Sequence, residues 1–291
     1  MNSTVKLKAA AFFACIVLLL AGCSSSEGNP GDFEAVFHAN SFSSPEEIAE
    51  NVKIDFSTSS EGYSGISVVS EKNIKVLLTF GETQYVFNVP KDGTAAYIPF
   101  PCGDGKYELR VMQNTVDNKY IELAKTEIDV ALADEFTPFL HSNLLVKFDE
   151  DSACVKKAAE LAAQASDDTG FMKLVYELIK NSVTYDDELA ETVAAGYVPE
   201  PDITLETKKG ICLDYAALAA AMLRSQGVPT KVITGYVGEE ALYHAWNAVY
   251  LKDSGWIAVE LRINPNDWTK FDLTYAASET IESKYIDSFV Y

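Results

Sequence analysis

Lys209-Gly210-Ile211-Cys212-Leu213-Asp214-Tyr215-Ala216 decides how this chain is read. The pattern predicts a helix from about Cys212 to Ser225, stopped by Gly227-Val228-Pro229, with the cysteine in its first turn. A helix N-terminus offers N–H groups without intrahelical acceptors and a partial positive charge. A thiolate is favoured there, and a developing oxyanion finds donors. Lys208 and Lys209 add to this field and Asp214 opposes it. Taken alone the signal is weak, because cysteine often simply packs in a core.

The next segments strengthen it. Thr230–Val237, Tyr243–Leu251 and Trp256–Leu261 alternate as strands, the last two joined by Lys252-Asp253-Ser254-Gly255. His244, one of three histidines, shares a strand face with Trp246, Ala248 and Tyr250. Pairing Tyr250 with Trp256 sets Trp246 opposite Glu260, one diagonal step from His244. A carboxylate there holds an imidazole in one tautomer and stabilises the imidazolium. Asp253 and Asp267 are substitutes of lower rank, since one sits in the turn and the other beyond the strand.

Upstream, Ser152–Ser166 and a segment opened by Asp168 or Thr169, with Phe171, Leu174, Val175, Leu178 and Ile179 in register, read as helices. Thr184–Lys209 reads as irregular. Between Phe33 and Val146 a short helix is expected at Ser44-Pro45-Glu46-Glu47. Strands are expected at Ile74–Phe80, Tyr85–Val89, Ala95–Phe100, Tyr107–Met112 and Ile121–Val130. Short strands with turn signals at this spacing suggest an antiparallel sandwich of the immunoglobulin-like kind. The fold class is therefore α+β, with a β-sandwich at 33–147 and a second domain at 148–291.

The N-terminus reads as an address. Lys6 and Lys8 precede an apolar run, Ala9–Leu20, too short to span a bilayer. Leu20-Ala21-Gly22-Cys23 resembles the bacterial lipobox, which implies removal of residues 1–22 and lipidation of Cys23. Residues 23–32 form a polar tether, and the protein is expected outside the cytoplasm, anchored to the bacterial membrane. The formal charge of −20, from 23 basic and 43 acidic residues, argues against nucleic acid as a partner. Cys102 and Cys154 are expected as free thiols, and His38 and His141 as surface or packed residues without metal-ligand spacing. The Phe148–Ser152 segment lacks the glycine and spacing of a calcium loop.

The Gly210–Ala216 block, Gly227–Tyr236, His244-Ala245-Trp246 and Gly255–Glu260, with Tyr185 ahead of them, resemble in order the bacterial transglutaminase-like domain of the papain-like superfamily. The resemblance covers roughly Ala153–Asp267. It implies a papain-like core in which Cys212 is the nucleophile, His244 the general base and acid, and Glu260 the third member. It implies attack on a carboxamide or peptide carbonyl, without a cofactor or metal, in a peptide or protein substrate, possibly associated with the cell wall. Such a protein is a cysteine peptidase, amidase or cross-linker. Tyr243 and Tyr215 flank the site, and Trp246 is a candidate cleft wall. The family usually has Asp-Pro-Thr where this chain has Glu260-Leu261-Arg262. That departure leaves open a catalytically inactive scaffold that binds peptide or wall partners.

Overall fold

The computed structural model describes residues 29, 31–194, 196–237, 242–259 and 285–291. Its first half holds β1 (Glu46–Ala49), β2 (Val52–Asp55), β3 (Tyr63–Val68), β4 (Ile74–Phe80), β5 (Thr83–Val89), β6 (Ala96–Pro99), β7 (Gly105–Asn114) and β8 (Tyr120–Val130). They form two antiparallel four-stranded sheets, ordered β1-β2-β3-β6 and β5-β4-β7-β8. Alternation explains the packing: Ile74, Val76 and Leu78 on β4 and Tyr107, Leu109 and Val111 on β7 share one core with Val52, Ile54, Ile66 and Ile98 of the other sheet.

The five strands expected here are present. The helix expected at Ser44–Glu47 is instead β1, with Glu46 opposite Ile54 and Glu47 opposite Lys53. The capping chemistry is spent differently, because the Ser44 N–H donates to Asp55. Four residues cannot offset the cost of starting a helix, so cross-strand pairing wins.

The second half opens with α1 (Ala153–Ala162) and α2 (Asp168–Ser182), whose N-cap is Asp167, accepting from the Gly170 N–H. The stretch expected to be irregular contains β9 (Thr184–Tyr185), α3 (Asp187–Thr192), α4 (Pro201–Thr207) and β10 (Lys209–Gly210). Their signals lie in the sequence: Asp186 caps α3 by accepting from the Leu189 N–H, and Pro201 begins α4. Then come α5 (Cys212–Arg224), β11 (Thr230–Val237), β12 (Leu242–Leu251), β13 (Gly255–Val259) and β14 (Tyr285–Val290). The antiparallel sheet order is β13-β12-β11-β14, with Tyr250 opposite Trp256 as expected. Every residue of α5 from Asp214 to Arg224 is buried. Its alanines, from Ala216 to Ala221, let the helix lie close against the sheet.

The two cores are stitched together. Residues 31–37 run along the second half, where Phe33 stacks on Phe171 at 5.0 Å and the Val36 N–H donates to Gln226 O. Phe289 and Tyr291 pack on Tyr85 of the sandwich. The buried Arg224 guanidinium donates to the carbonyls of Thr230, His141 and Tyr291 at 2.7, 2.9 and 2.7 Å.

His141 lies at this junction, buried, with Nδ1 3.2 Å from Asn40 Oδ1. The Asn40 amide donates to Ser142 O, so its oxygen is left to accept from Nδ1–H. Burial first, then the neighbouring His38 and Arg224, push the His141 pKa down to about 4, although Glu61 Oε2 lies 3.9 Å from Nε2. An unfolded histidine titrates near 6.5, so this neutral ring supports the fold above that pH. The support is lost as pH falls from about 6.5 to about 4. Urea unfolding at pH 7 and pH 4.5 should show the wild type losing about 2–3 kcal/mol more than His141→Gln. Equal losses in both proteins would contradict this.

Candidate active site

Cys212 begins α5, and its first turn is built around Asp214. The Asp214 carboxylate accepts the Ile211 N–H at 2.8 Å and the Tyr197 hydroxyl at 2.7 Å. Burial pushes the Asp214 pKa up, against the pull of these hydrogen bonds. Gly210 is required here, since a Cβ at that position would lie 2.7 Å from Asp214 Cβ. The acid that opposed a thiolate on paper is thus turned back as a clasp between α5 and the loop carrying Tyr197. Lys209 is engaged with Asp186 at 3.0 Å, and Lys208 ends α4 in a left-handed conformation.

His244 enters from β12, opposite Gly235 of β11. The helix and this strand are tied together by Asn247, a residue the sequence reading passed over. Its Nδ2 donates to Ala216 O at 3.0 Å and Lys231 O at 3.1 Å, and its Oδ1 accepts from the Tyr176 hydroxyl at 2.8 Å. Ala216 lies one turn after Cys212, and Asn247 three residues after His244. The result is a chamber of about 630 Å³ bordered by both Cys212 and His244. That volume suits a small-molecule or peptide-segment site.

The flanking aromatics separate. Tyr243 stands exposed at the chamber mouth. Trp246 is buried and, with Cys212, borders a void of about 10 Å³, room for at most one water. Tyr215 also borders that void, but its hydroxyl donates to Val183 O at 3.0 Å, so its buried ring packs and braces the helix. Another part of the wall, which no motif announces, is supplied by Val86, Phe87 and Asn88 of the sandwich. Glu260, Asp267 and the lipidation candidate Cys23 lie outside the described residues. The β12–β13 register leading to Glu260 is described through Asn247 opposite Val259.

Cys102, Cys154 and Cys212 are free thiols. Cys154 is buried at the start of α1, where burial and the nearby Asp202 push its pKa up. Among the described residues no group of three or more His, Cys, Asp or Glu side chains is placed to hold a metal.

Residues 155–261 match the transglutaminase-like superfamily. Over 71 residues the chain is 31% identical to a protein-glutamine gamma-glutamyltransferase of Pseudomonas aeruginosa, a match covering 20% of this chain and 11% of that protein. Over 93 residues it is 28% identical to the uncharacterized protein YebA of Bacillus subtilis, covering 25% and 13%. The chain thus spans only about a tenth of the length of either relative. Among solved structures it resembles a putative cysteine protease from Cytophaga hutchinsonii, with 16% identity, 77% and 73% coverage and a TM-score of 0.42. The periplasmic domain of TgpA from Pseudomonas aeruginosa gives 14% identity, 68% coverage of both chains and a TM-score of 0.36. The similarity to the transglutaminase-like superfamily thus lies in the second half of this chain, over residues 155–261.

Proposed function

We propose that this protein performs thiol-dependent acyl transfer or hydrolysis on carboxamide or peptide bonds, with Cys212 as nucleophile, His244 as base and acid, and Glu260 orienting the imidazole. The observation that carries this reading is the convergence of Cys212 and His244 on one chamber, within the residues that match the transglutaminase-like superfamily. His244 takes the thiol proton, and the thiolate attacks the carbonyl carbon. N–H groups in the first turn of α5 receive the oxyanion. As the tetrahedral species collapses, the C–N bond breaks, His244 returns the proton to the leaving amine, and a thioester remains. Water releases it as an acid, or a second amine takes the acyl group.

Replacing Cys212 with Ala should abolish amine incorporation or amide hydrolysis while leaving the fold intact, since one sulfur is lost from a partly open site. Glu260→Gln should lower turnover by a large factor without abolishing it, because imidazole orientation and imidazolium stabilisation are both weakened. A silent Glu260→Gln beside a damaging Asp267→Asn would move the third role to Asp267. The second reading, an inactive scaffold that binds peptide or wall partners, rests on Glu260-Leu261-Arg262 in place of the family's Asp-Pro-Thr. Wild-type turnover in Cys212→Ala would end the nucleophile assignment.

We place this activity at the cell envelope, on a chain tethered through lipidated Cys23, and read the sandwich as an immunoglobulin-like module. Support comes from the lysines, apolar run and Leu20-Ala21-Gly22-Cys23 of the leader. Mass spectrometry of the membrane fraction should find a mature chain beginning at a diacylated Cys23. An intact Met1 or an unmodified Cys23 would contradict the anchor.

A further inference from the structure

The chamber and the point where the chain enters the fold lie at opposite poles of the second half. α2 and α5 run antiparallel, because the hydroxyl of Tyr215, at the start of α5, donates to Val183 O, just past the end of α2. Cys212 therefore shares one pole with the end of α2. β12 agrees with this polarity: His244, near its beginning, borders the chamber, while Lys252, just past its end, donates its N–H to the Asp168 carboxylate at 2.9 Å. At 1.5 Å per residue α2 spans about 21 Å, and β12 from His244 to Leu251 spans about 23 Å.

The chain enters at the pole far from the thiol. The Gly31 N–H donates to Ala165 O at 2.8 Å, and the Asp32 N–H to Asn29 O at 3.0 Å. Phe33 stacks on Phe171 in the first turn of α2, and the Val36 N–H donates to Gln226 O, just past the end of α5. Only the stretch from Cys23 to Asn29 thus separates the lipidation candidate from the folded surface. Whatever its conformation, that stretch reaches at most about 21 Å.

This leash is no longer than the body it holds. With the chamber turned to the bilayer, the entry point stands about 21 Å or more from the lipid, and the leash has to be drawn out straight. With the entry pole toward the bilayer, the leash is slack and keeps the chain entropy that a taut one gives up. Charge works against lying flat. The formal charge of −20 gives an anionic bilayer no broad hold on the flanks, and Asp32, Asp167 and Asp253 are exposed at the entry pole itself.

We infer that the anchored protein stands on the corner between α1 and α2, with its chamber opening away from its own membrane. Its substrates are polypeptide amides held about 20 Å or more clear of the bilayer, and amides or amines at the lipid surface lie out of its reach. This rests on the reading of Cys23 as the lipid anchor, and it needs the nucleophile reading only to name what the chamber meets as substrate.

The test reconstitutes the full lipidated chain, at low density, into vesicles of phosphatidylethanolamine and phosphatidylglycerol, and measures which thiols a lipid-borne maleimide captures. All proteins carry Cys102→Ser, and Cys154 is buried. One protein keeps Cys212; the other has Cys212→Ala with Gln164→Cys, at an exposed position beside the entry point. Rates are divided by those with soluble N-ethylmaleimide, which removes differences in intrinsic thiol reactivity. Maleimide placed directly on the headgroup should capture the thiol introduced by Gln164→Cys about tenfold faster than Cys212, because a linker that cannot span the gap gives almost no effective concentration. A Gly-Ser spacer of about 40 residues, spanning about 35 Å, should bring Cys212 up to the rate of the other thiol. Inserting about 20 Gly and Ser residues between Ser26 and Glu27 adds about 25 Å of slack and should raise direct capture of Cys212 about fivefold. Chains that do not float with the vesicles would overturn the anchor and this orientation with it. Floating chains whose Cys212 is captured directly as fast as the introduced thiol, or no faster after the insertion, would overturn the orientation alone. Maleimide takes any accessible thiol, so an unactivated Cys212 would refute the catalytic reading and leave the orientation result standing.

Discussion

The buried amide of Asn247 is the interaction on which the site depends. Each of its hydrogen-bonding directions that meets a partner reaches a different element: α5 at Ala216, β11 at Lys231 and α2 at Tyr176. A bond of this kind contributes about 1 kcal/mol net, but leaving one of its buried partners unpaired costs about 1–3 kcal/mol, so helix and strand cannot slide past each other cheaply. That constraint brings the first residue of α5 and the early residues of β12 to one chamber. The alanine run of α5 permits it, because larger side chains on that face would push helix and sheet apart. The clasp of Asp214 on Ile211 and Tyr197 then fixes the first turn itself.

The same chamber shows why neither half of the molecule is complete alone. One side is the α5 turn and β12, and the other is β5 of the sandwich. The halves are held in register by Arg224 reaching His141 O, by Phe33 on Phe171, and by the aromatic contacts of Phe289 and Tyr291 with Tyr85. A cleft on a seam of this kind keeps its shape only if the seam is rigid. The buried, neutral His141 ties that rigidity to pH.

What could be read from the sequence was whatever is encoded locally. The sandwich strands from Ile74 onward alternate cleanly, α5 has a clear stop at Gly227-Val228-Pro229, and the short turn after Leu251 sets Tyr250 opposite Trp256. The failures have physical causes. Ser44–Glu47 carries helix-start chemistry but pairs with β2, since tertiary pairing outweighs propensity over four residues. β14 lies far from its partner β11 in sequence and has no turn to announce it. Asn247 looked like one more residue in a strand, and its role appears only once α2 and α5 surround it. Nothing in Val86-Phe87-Asn88 hints at a cleft, because that wall exists only where two separately encoded cores meet.

The central claim is that Cys212 and His244 form an activated pair, and the pH dependence of iodoacetamide labelling of Cys212 tests it most directly. On this account labelling stays fast well below the ordinary thiol pKa of about 8.5 and collapses toward ordinary thiol behaviour in His244→Ala. Labelling that rises only near pH 8.5, or a profile unchanged by His244→Ala, would contradict it.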